Sequence, residues 1–164
     1  MRKIAFKVGD AVFYPGAGVG MIEGVEDVFI GARSERCLVI RIHENHITIK
    51  VPQSNLENTR IRPLLNGRKL KELFKLLGTK AEQRPSPSNW AEYYKDIERK
   101  INNGTSFDLG EVVRDLTWLK RENGLSFDEA RLLETARDFL THEIAFIEGI
   151  PAGQAADRIR ASIG

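Results

Sequence analysis

The chain has 164 residues, enough for one ordinary domain or two small ones. Apolar residues make up 41% and charged residues 29%, which excludes a disordered chain, and no apolar run approaches the roughly 18 residues that a membrane span needs. Residues 1–7 hold too short an apolar stretch for a secretory signal, and Cys37 is the single cysteine, so we expect a cytoplasmic protein without internal disulfides.

The net charge of +2 is unevenly distributed along the chain. Residues 1–62 carry nine Lys and Arg against seven Asp and Glu, and residues 63–100 carry nine against five. Residues 101–164 carry seven against eleven. The basic middle block is typical either of a surface that attracts an acidic partner or of a solvated helix face, and the charges alone leave both open.

The first 62 residues show the alternation and turn signals of β-structure. Strands are predicted at residues 8–14, 19–30, 36–42 and 47–51. In the last of these, Ile47, Ile49 and Val51 are expected to face the core, which leaves Thr48 and Lys50 on the outer face. Short strands over so small a length predict a strongly bent antiparallel barrel, because one flat sheet would leave a face bare.

From Asn66 onward the apolar period changes to that of helices. Five helices are predicted: residues 66–77, 90–103, a third capped by Thr105 or Ser106 that ends before Gly124, 126–149, and a last one that begins at Pro151. The predicted fold is therefore α+β. A small Tudor/SH3-like barrel over residues 1–62 precedes a compact five-helix bundle over residues 67–164.

Motifs for catalysis, nucleotides or metals are weak in this sequence. The glycines of residues 16–20 precede a strand rather than a helix, so a hairpin is favoured over a phosphate loop. His43 and His46 flank a predicted turn without a further ligand nearby, which argues against a metal site. Because no nucleophile–base arrangement is visible either, we expect neither an enzyme nor a cofactor or metal.

The segment around Trp90 is the most informative part of the basic block. Trp90 opens a predicted helix directly after the proline and serine turn of residues 85–88, and from the pattern its ring can lie in the core or at the surface. An exposed ring beside basic side chains suits the minor groove of DNA. The candidate DNA-binding residues are Trp90, Lys95, Arg99, Arg114, Lys120 and Arg121.

The order of motifs resembles the CarD/CdnL family of bacterial RNA polymerase-binding transcription regulators, over residues 5 to 148. In the first half the resemblance rests on residues 6–15, 38–42 and 47–52, which read FKVGDAVFYP, LVIRI and ITIKVP. In the second half it rests on Asn89-Trp90, Tyr94-Lys95, residues 111–116, residues 124–126 and Ala136-Arg137.

The resemblance implies that a Tudor-like domain binds the β subunit of bacterial RNA polymerase and that the helical domain contacts promoter DNA at the upstream edge of the transcription bubble. Such proteins stabilise the open promoter complex and often support ribosomal RNA promoters. The tryptophan that matches Trp90 is a minor-groove wedge, and the position that matches Lys50 is a basic polymerase contact. We expect little base-specific readout, a monomer, and no membrane partner.

Three positions depart from the family pattern. Glu92 and Tyr93 stand where some members have two arginines, and Val28 stands where a second polymerase-contact arginine is expected. The candidate polymerase-binding residues are therefore Thr48, Lys50 and Val28, with a weaker phosphate attraction expected around Trp90. An adaptor of RNA polymerase without direct DNA contact is the competing hypothesis.

Overall fold

The computed structural model describes residues 6–164, and they form two compact units that divide between Leu64 and Leu65. Residues 1–5, which include most of the stretch that argued against a secretory signal, lie outside the described residues. Within residues 6–164, no helix is both long and apolar enough to cross a membrane.

The first unit is one antiparallel sheet of five strands. The strands are β1 (Ala11–Tyr14), β2 (Gly18–Ile30), β3 (Arg33–Ile42), β4 (Thr48–Pro52) and β5 (Arg62–Pro63). Their order is β4-β3-β2-β1-β5. The core on one face consists of Val12, Ile22, Leu38, Ile40, Ile42, Val51 and Ile61.

The predicted barrel is not closed. In the described residues β4 and β5 are the two edges of the sheet and do not pair with each other. The chain between them forms two short 3₁₀ turns, Gln53–Asn55 and Glu57–Thr59, and β5 has only two residues, both paired with β1. The register of β2 with β3 shifts between Ile22 and Gly24, which is typical of a β-bulge, and bulges bend the strand that carries them.

The start of the fourth strand was predicted one residue too early. His46 has a left-handed backbone with φ of 59°, and Ile47 lies before the ladder of β4 with 54% of its surface exposed. Ile49 and Val51 do pack on the core as predicted. The alternation inside the strand and the turn after His43 were therefore predicted correctly, whereas the residue at which the turn ends was not.

The second unit contains the five predicted helices. They are α1 (Gly67–Leu77), α2 (Trp90–Asn103), α3 (Ser106–Glu122), α4 (Phe127–Glu148) and α5 (Ala152–Ile163). Thr105 and Ser126 each form a complete capping box, with Asp108 and Glu129 respectively. Of the two predicted caps of α3, Thr105 is therefore the N-cap. Ser106 is instead buried, and its hydroxyl donates to Glu143.

Helix α3 is the centre of the bundle, because it packs against α1, α2 and α4. Gly110 lets α1 approach closely, since a Cβ there would lie 2.8 Å from Cδ1 of Leu73. The apolar residues of α3 that are buried are Leu109, Val112, Val113, Leu116 and Leu119. The Trp90 region is built on one side of this helix.

Candidate nucleic-acid and protein interfaces

Trp90 is the first residue of α2, and 40% of its surface is exposed. Pro87–Asn89 forms a 3₁₀ turn immediately before it, because the prolines at 85 and 87 suit a turn and the start of a helix but not its interior. The indole Nε1 donates to the carbonyl oxygen of Pro85 at 3.2 Å. The ring is therefore at the surface in a defined orientation rather than in the core.

A cleft of about 610 Å³ lies beside this ring. Its walls are residues 78–85 and Pro87 on one side and the C-terminal part of α3 with Trp118 and Asn123 on the other. Trp118 is half-buried, and the guanidinium of Arg121 lies 5.3 Å from the centre of its ring. Both tryptophans of the chain thus border one cleft, with Trp90 at the exposed side.

Arg114 does not lie at the surface with the other predicted DNA-binding residues. It is only 7% exposed, and its Nε donates to Asp115 Oδ1 at 2.8 Å. Its Nη1 donates to Thr79 Oγ1 at 2.7 Å. The guanidinium is therefore hydrogen-bonded inside the helical unit, on a helix that packs against α1, α2 and α4. We accordingly leave Arg114 out of the candidate DNA interface.

The remaining basic candidates are exposed. Lys95 and Arg99 lie on α2, and Lys120 and Arg121 lie at the end of α3. Arg99 pairs with Asp96 at 2.9 Å, a hydrogen bond that lowers the pKa of the Asp96 carboxyl. Arg121 donates to the carbonyl oxygen of Gly164 at 2.7 Å. Asp96 thus already compensates the charge of Arg99, and one donor of Arg121 is occupied by the protein's own backbone.

Glu92 is exposed in the first turn of α2. A carboxylate at this place favours the helix, because the N-terminal amides and the helix dipole attract negative charge. The same charge repels a phosphate that approaches Trp90. The departure from the family pattern at this position therefore has a structural benefit for α2 and a cost for phosphate contact.

Glu129 is a buried carboxylate beneath the Trp90 segment, with 0% of its surface exposed. Arg84 binds it with two hydrogen bonds, Nη2 to Oε1 at 2.6 Å and Nε to Oε2 at 3.0 Å. Tyr93 donates its hydroxyl to Oε2 at 3.0 Å, and the Ser126 amide donates to Oε1 at 3.0 Å. We call these four residues, Arg84, Tyr93, Ser126 and Glu129, the Glu129 cluster.

The Glu129 cluster shifts the pKa values of its members. Burial alone would raise the pKa of Glu129, but the hydrogen bonds from Arg84, the Ser126 amide and Tyr93 lower it below its ordinary value. Burial and the adjacent carboxylate raise the pKa of Tyr93. Glu129 is therefore an anion that the cluster stabilises at neutral pH.

In the sequence, Glu129 stands out only through its capping-box spacing from Ser126, and no pattern singles out Arg84. The spacing of Ser126 and Glu129 accounts for one oxygen of the carboxylate. The hydrogen bonds between Arg84 and Glu129 join residues that are 45 positions apart. Such a tertiary contact cannot be predicted from a local sequence pattern. The available signal was the single arginine among residues 79–88, directly before Pro85.

In the first unit, Thr48, Lys50 and Val28 share the outer face of the sheet. Lys50 is opposite Val39 on β3 and pairs with Glu26 on β2 at 2.8 Å, and Glu26 is two residues from Val28 on that face. Glu26 raises the pKa of Lys50 through the hydrogen bond and its charge. Thr48 is exposed, whereas Val28 is half-buried opposite Glu35.

The edge strand β4 carries two of these residues. In the described residues it pairs on one side with β3 and has no strand on its other side. Such an edge presents backbone donors and acceptors that suit pairing with a strand of another protein. Val28, on an interior strand, can contribute to the same face but not to the edge.

The helical unit and the sheet each match a known domain. The CarD C-terminal domain matches residues 72–160, and the CarD-like/TRCF RID domain matches residues 6–65. The chain is 32% identical over 149 residues to the putative transcription factor YdeB of Bacillus subtilis (strain 168). The aligned region covers 91% of this chain and 96% of YdeB.

The sheet, the helical unit and these matches define a transcription regulator with a partner in the transcription machinery. More narrowly, the chain belongs to the CarD family. The family predicted from the motif order is confirmed.

Proposed function

We propose that the protein binds the RNA polymerase β subunit with its sheet and stabilises the open promoter complex through its helical unit. Thr48 and Lys50 on β4, with Val28 beside them, form the polymerase surface. Trp90, Lys95, Arg99, Lys120 and Arg121 form the DNA surface at the upstream edge of the bubble. Support for the first part is the match of residues 6–65 to the RID domain.

The observation that carries the DNA contact is the exposure of Trp90. A tryptophan is on average well buried, yet this ring is 40% exposed at a helix start. Apolar side chains that insert between base steps of the minor groove unstack them and bend the duplex. The proposed role is a wedge of this kind, with the exposed basic residues at the backbone.

The contact favours the open complex because it is stronger there than in the closed complex. Unstacking a base step costs on the order of a few kcal/mol, and less where the duplex is already distorted. Only such differential binding shifts an equilibrium between two states. A difference of ~1.4 kcal/mol changes the ratio of open to closed complexes about tenfold.

The experiment that tests the proposal measures promoter opening by purified bacterial RNA polymerase with and without this protein. A fluorescent base analogue at the upstream edge of the bubble reports the open fraction at equilibrium. We expect the open fraction at an unstable promoter, such as a ribosomal RNA promoter, to rise with protein concentration. An open fraction that stays constant at saturating protein would contradict the proposal.

A second candidate is an adaptor of RNA polymerase that does not touch DNA. The burial of Arg114 and the exposed carboxylate of Glu92 near Trp90 favour it, because both reduce phosphate attraction. Photo-crosslinking separates the two candidates. A crosslink from residue 90 to promoter DNA in the open complex supports the wedge, and crosslinks to protein alone support the adaptor.

A further inference from the structure

The segment that leads to Trp90, residues 79–88, is fixed to the bundle at two points. We call it the proline segment. At its start, Thr79 accepts from Arg114 at 2.7 Å, and the amide of Glu82 donates to Asp115 Oδ1 at 3.0 Å. The buried Arg114 also bonds Asp115, so one ion pair on α3 fixes the first half of the segment.

The second point is the Glu129 cluster, and it brackets Trp90 in sequence. Arg84 binds Glu129 from the N-terminal side of Trp90, next to Pro85, whose carbonyl accepts from the indole. Tyr93 binds the same carboxylate from one turn later on α2. Arg84 also donates to the carbonyl of Gly124 at 3.3 Å, ahead of α4.

We propose that Glu129, acting through Arg84 and Tyr93, is a positioning residue that sets the orientation of Trp90 before any DNA is bound. The inference rests on the proposed wedge function and deepens it. A side chain that is already ordered in its bound direction loses less conformational freedom on binding. Because Glu129 is fully buried, its effect on DNA passes through the proline segment and α2.

The same geometry gives Arg84 a role distinct from that of the exposed basic residues. Its guanidinium is satisfied by both oxygens of Glu129 and by a backbone carbonyl. A bidentate pair of this kind fixes geometry as well as charge. Removing Arg84 and the charge of Glu129 together therefore changes the mobility of Trp90 but leaves the net charge near the DNA surface unchanged.

The test uses the full chain with Trp118→Phe, so that Trp90 is the single tryptophan. The variant is Arg84→Leu with Glu129→Gln, because Gln keeps an acceptor for the Ser126 amide and leaves no buried unpaired charge. The matched control is Arg160→Met with Asp157→Asn, which removes an exposed pair on α5 at equal net charge. The readouts are time-resolved anisotropy of Trp90 in the free protein and the lifetime of the open complex.

We expect faster local motion of Trp90 and an open-complex lifetime about fivefold shorter in the variant, with neither change in the control. The salt dependence of the lifetime should stay as in the parent protein, because no phosphate contact is removed. Unchanged motion of Trp90 would overturn the proposal, and so would increased motion with an unchanged lifetime.

If the double variant does not fold, the anisotropy of Trp90 is measured in Tyr93→Phe instead, because this substitution removes only one hydroxyl from the Glu129 cluster. Faster motion of Trp90 in Tyr93→Phe supports positioning, and unchanged motion overturns it. Failure of the proposed wedge function can be distinguished from failure of the positioning role of Glu129. If the parent protein does not prolong the open complex at all, the proposed function is wrong, while the anisotropy of the free protein still shows whether Glu129 orients Trp90.

Discussion

Lys50 illustrates how a single residue on the proposed polymerase surface is constrained by its neighbour. Its ammonium pairs with Glu26 across the sheet, and both side chains are about half exposed. An acidic group of a partner must compete with Glu26 for this ammonium. We therefore expect the intramolecular pair to weaken the contribution of Lys50 to the proposed polymerase surface.

Glu26→Gln is accordingly expected to tighten binding to the RNA polymerase β subunit. The gain should be about two- to fivefold in Kd, the scale of an exposed ion pair, and should shrink at high salt. Titration calorimetry or surface plasmon resonance measures it. The control is Asp27→Asn, which removes the same charge from the opposite face of the sheet, where Asp27 pairs with Arg36. An equal gain in affinity for Asp27→Asn would mean that only the net charge of the protein matters.

Residue exposure was the least predictable property of the candidate site. The pattern around Trp90 left both a core and a surface position open. In the structure the ring is exposed, bonded to the carbonyl oxygen of Pro85 and next to a cleft. Arg114 was expected at the surface from its charge. Its burial depends on Asp115, the next residue, and on Thr79, which is 35 positions away.

At the scale of elements, the helices were predictable because caps and apolar period agree. The capping box at Ser126 and the glycines after α1 and α3 are local signals, and each marks a real helix boundary. The barrel was not predictable in the same way. Closure depends on whether β4 and β5 meet, and the two 3₁₀ turns between them carried no clear pattern in the sequence.

The junction of α2 and α3 gives a test at this scale. A Cβ at Gly104 would overlap the carbonyl oxygen of Lys100 and lie 2.8 Å from Cβ of Asp108. Gly104→Ala should therefore lower the free energy of unfolding by roughly 1–3 kcal/mol, the usual cost of overpacking. Denaturant titration measures the change.

Gly153 provides the control, because nothing lies within 4 Å of a Cβ there, in the first turn of α5. Gly153→Ala is expected to raise the free energy of unfolding by about 0.4–1 kcal/mol, since alanine restricts the unfolded chain. Equal effects of the two substitutions would show that the α2–α3 junction is not the tight contact described.

At the scale of the whole molecule, the proposed function assigns recruitment to the sheet and DNA contact to the helical unit. The net charge of +2 is small, so the chain has little general attraction for DNA. In the proposed function, tethering to polymerase compensates for this, because tethering raises the effective concentration of a linked binding surface, commonly toward the millimolar range. We therefore expect both contacts to be needed at low protein concentration.

Lys50→Glu is predicted to abolish the effect on open complexes at low protein concentration and to recover part of it at about tenfold or higher concentration. The reason is that the charge reversal weakens recruitment and leaves the DNA surface intact. Titration of the open fraction against protein concentration gives the answer. Full activity at low concentration would show that the outer face of the sheet is not the polymerase surface.

The most direct test of the central claim is the lifetime of the open promoter complex after competitor challenge, measured with Trp90→Ala against the unchanged protein. Trp118→Phe, on the cleft side of α3, is the control. For Trp90→Ala we predict normal binding to polymerase and a lifetime shortened about tenfold, equivalent to ~1.4 kcal/mol. An unchanged lifetime, at equal polymerase occupancy, would contradict the wedge.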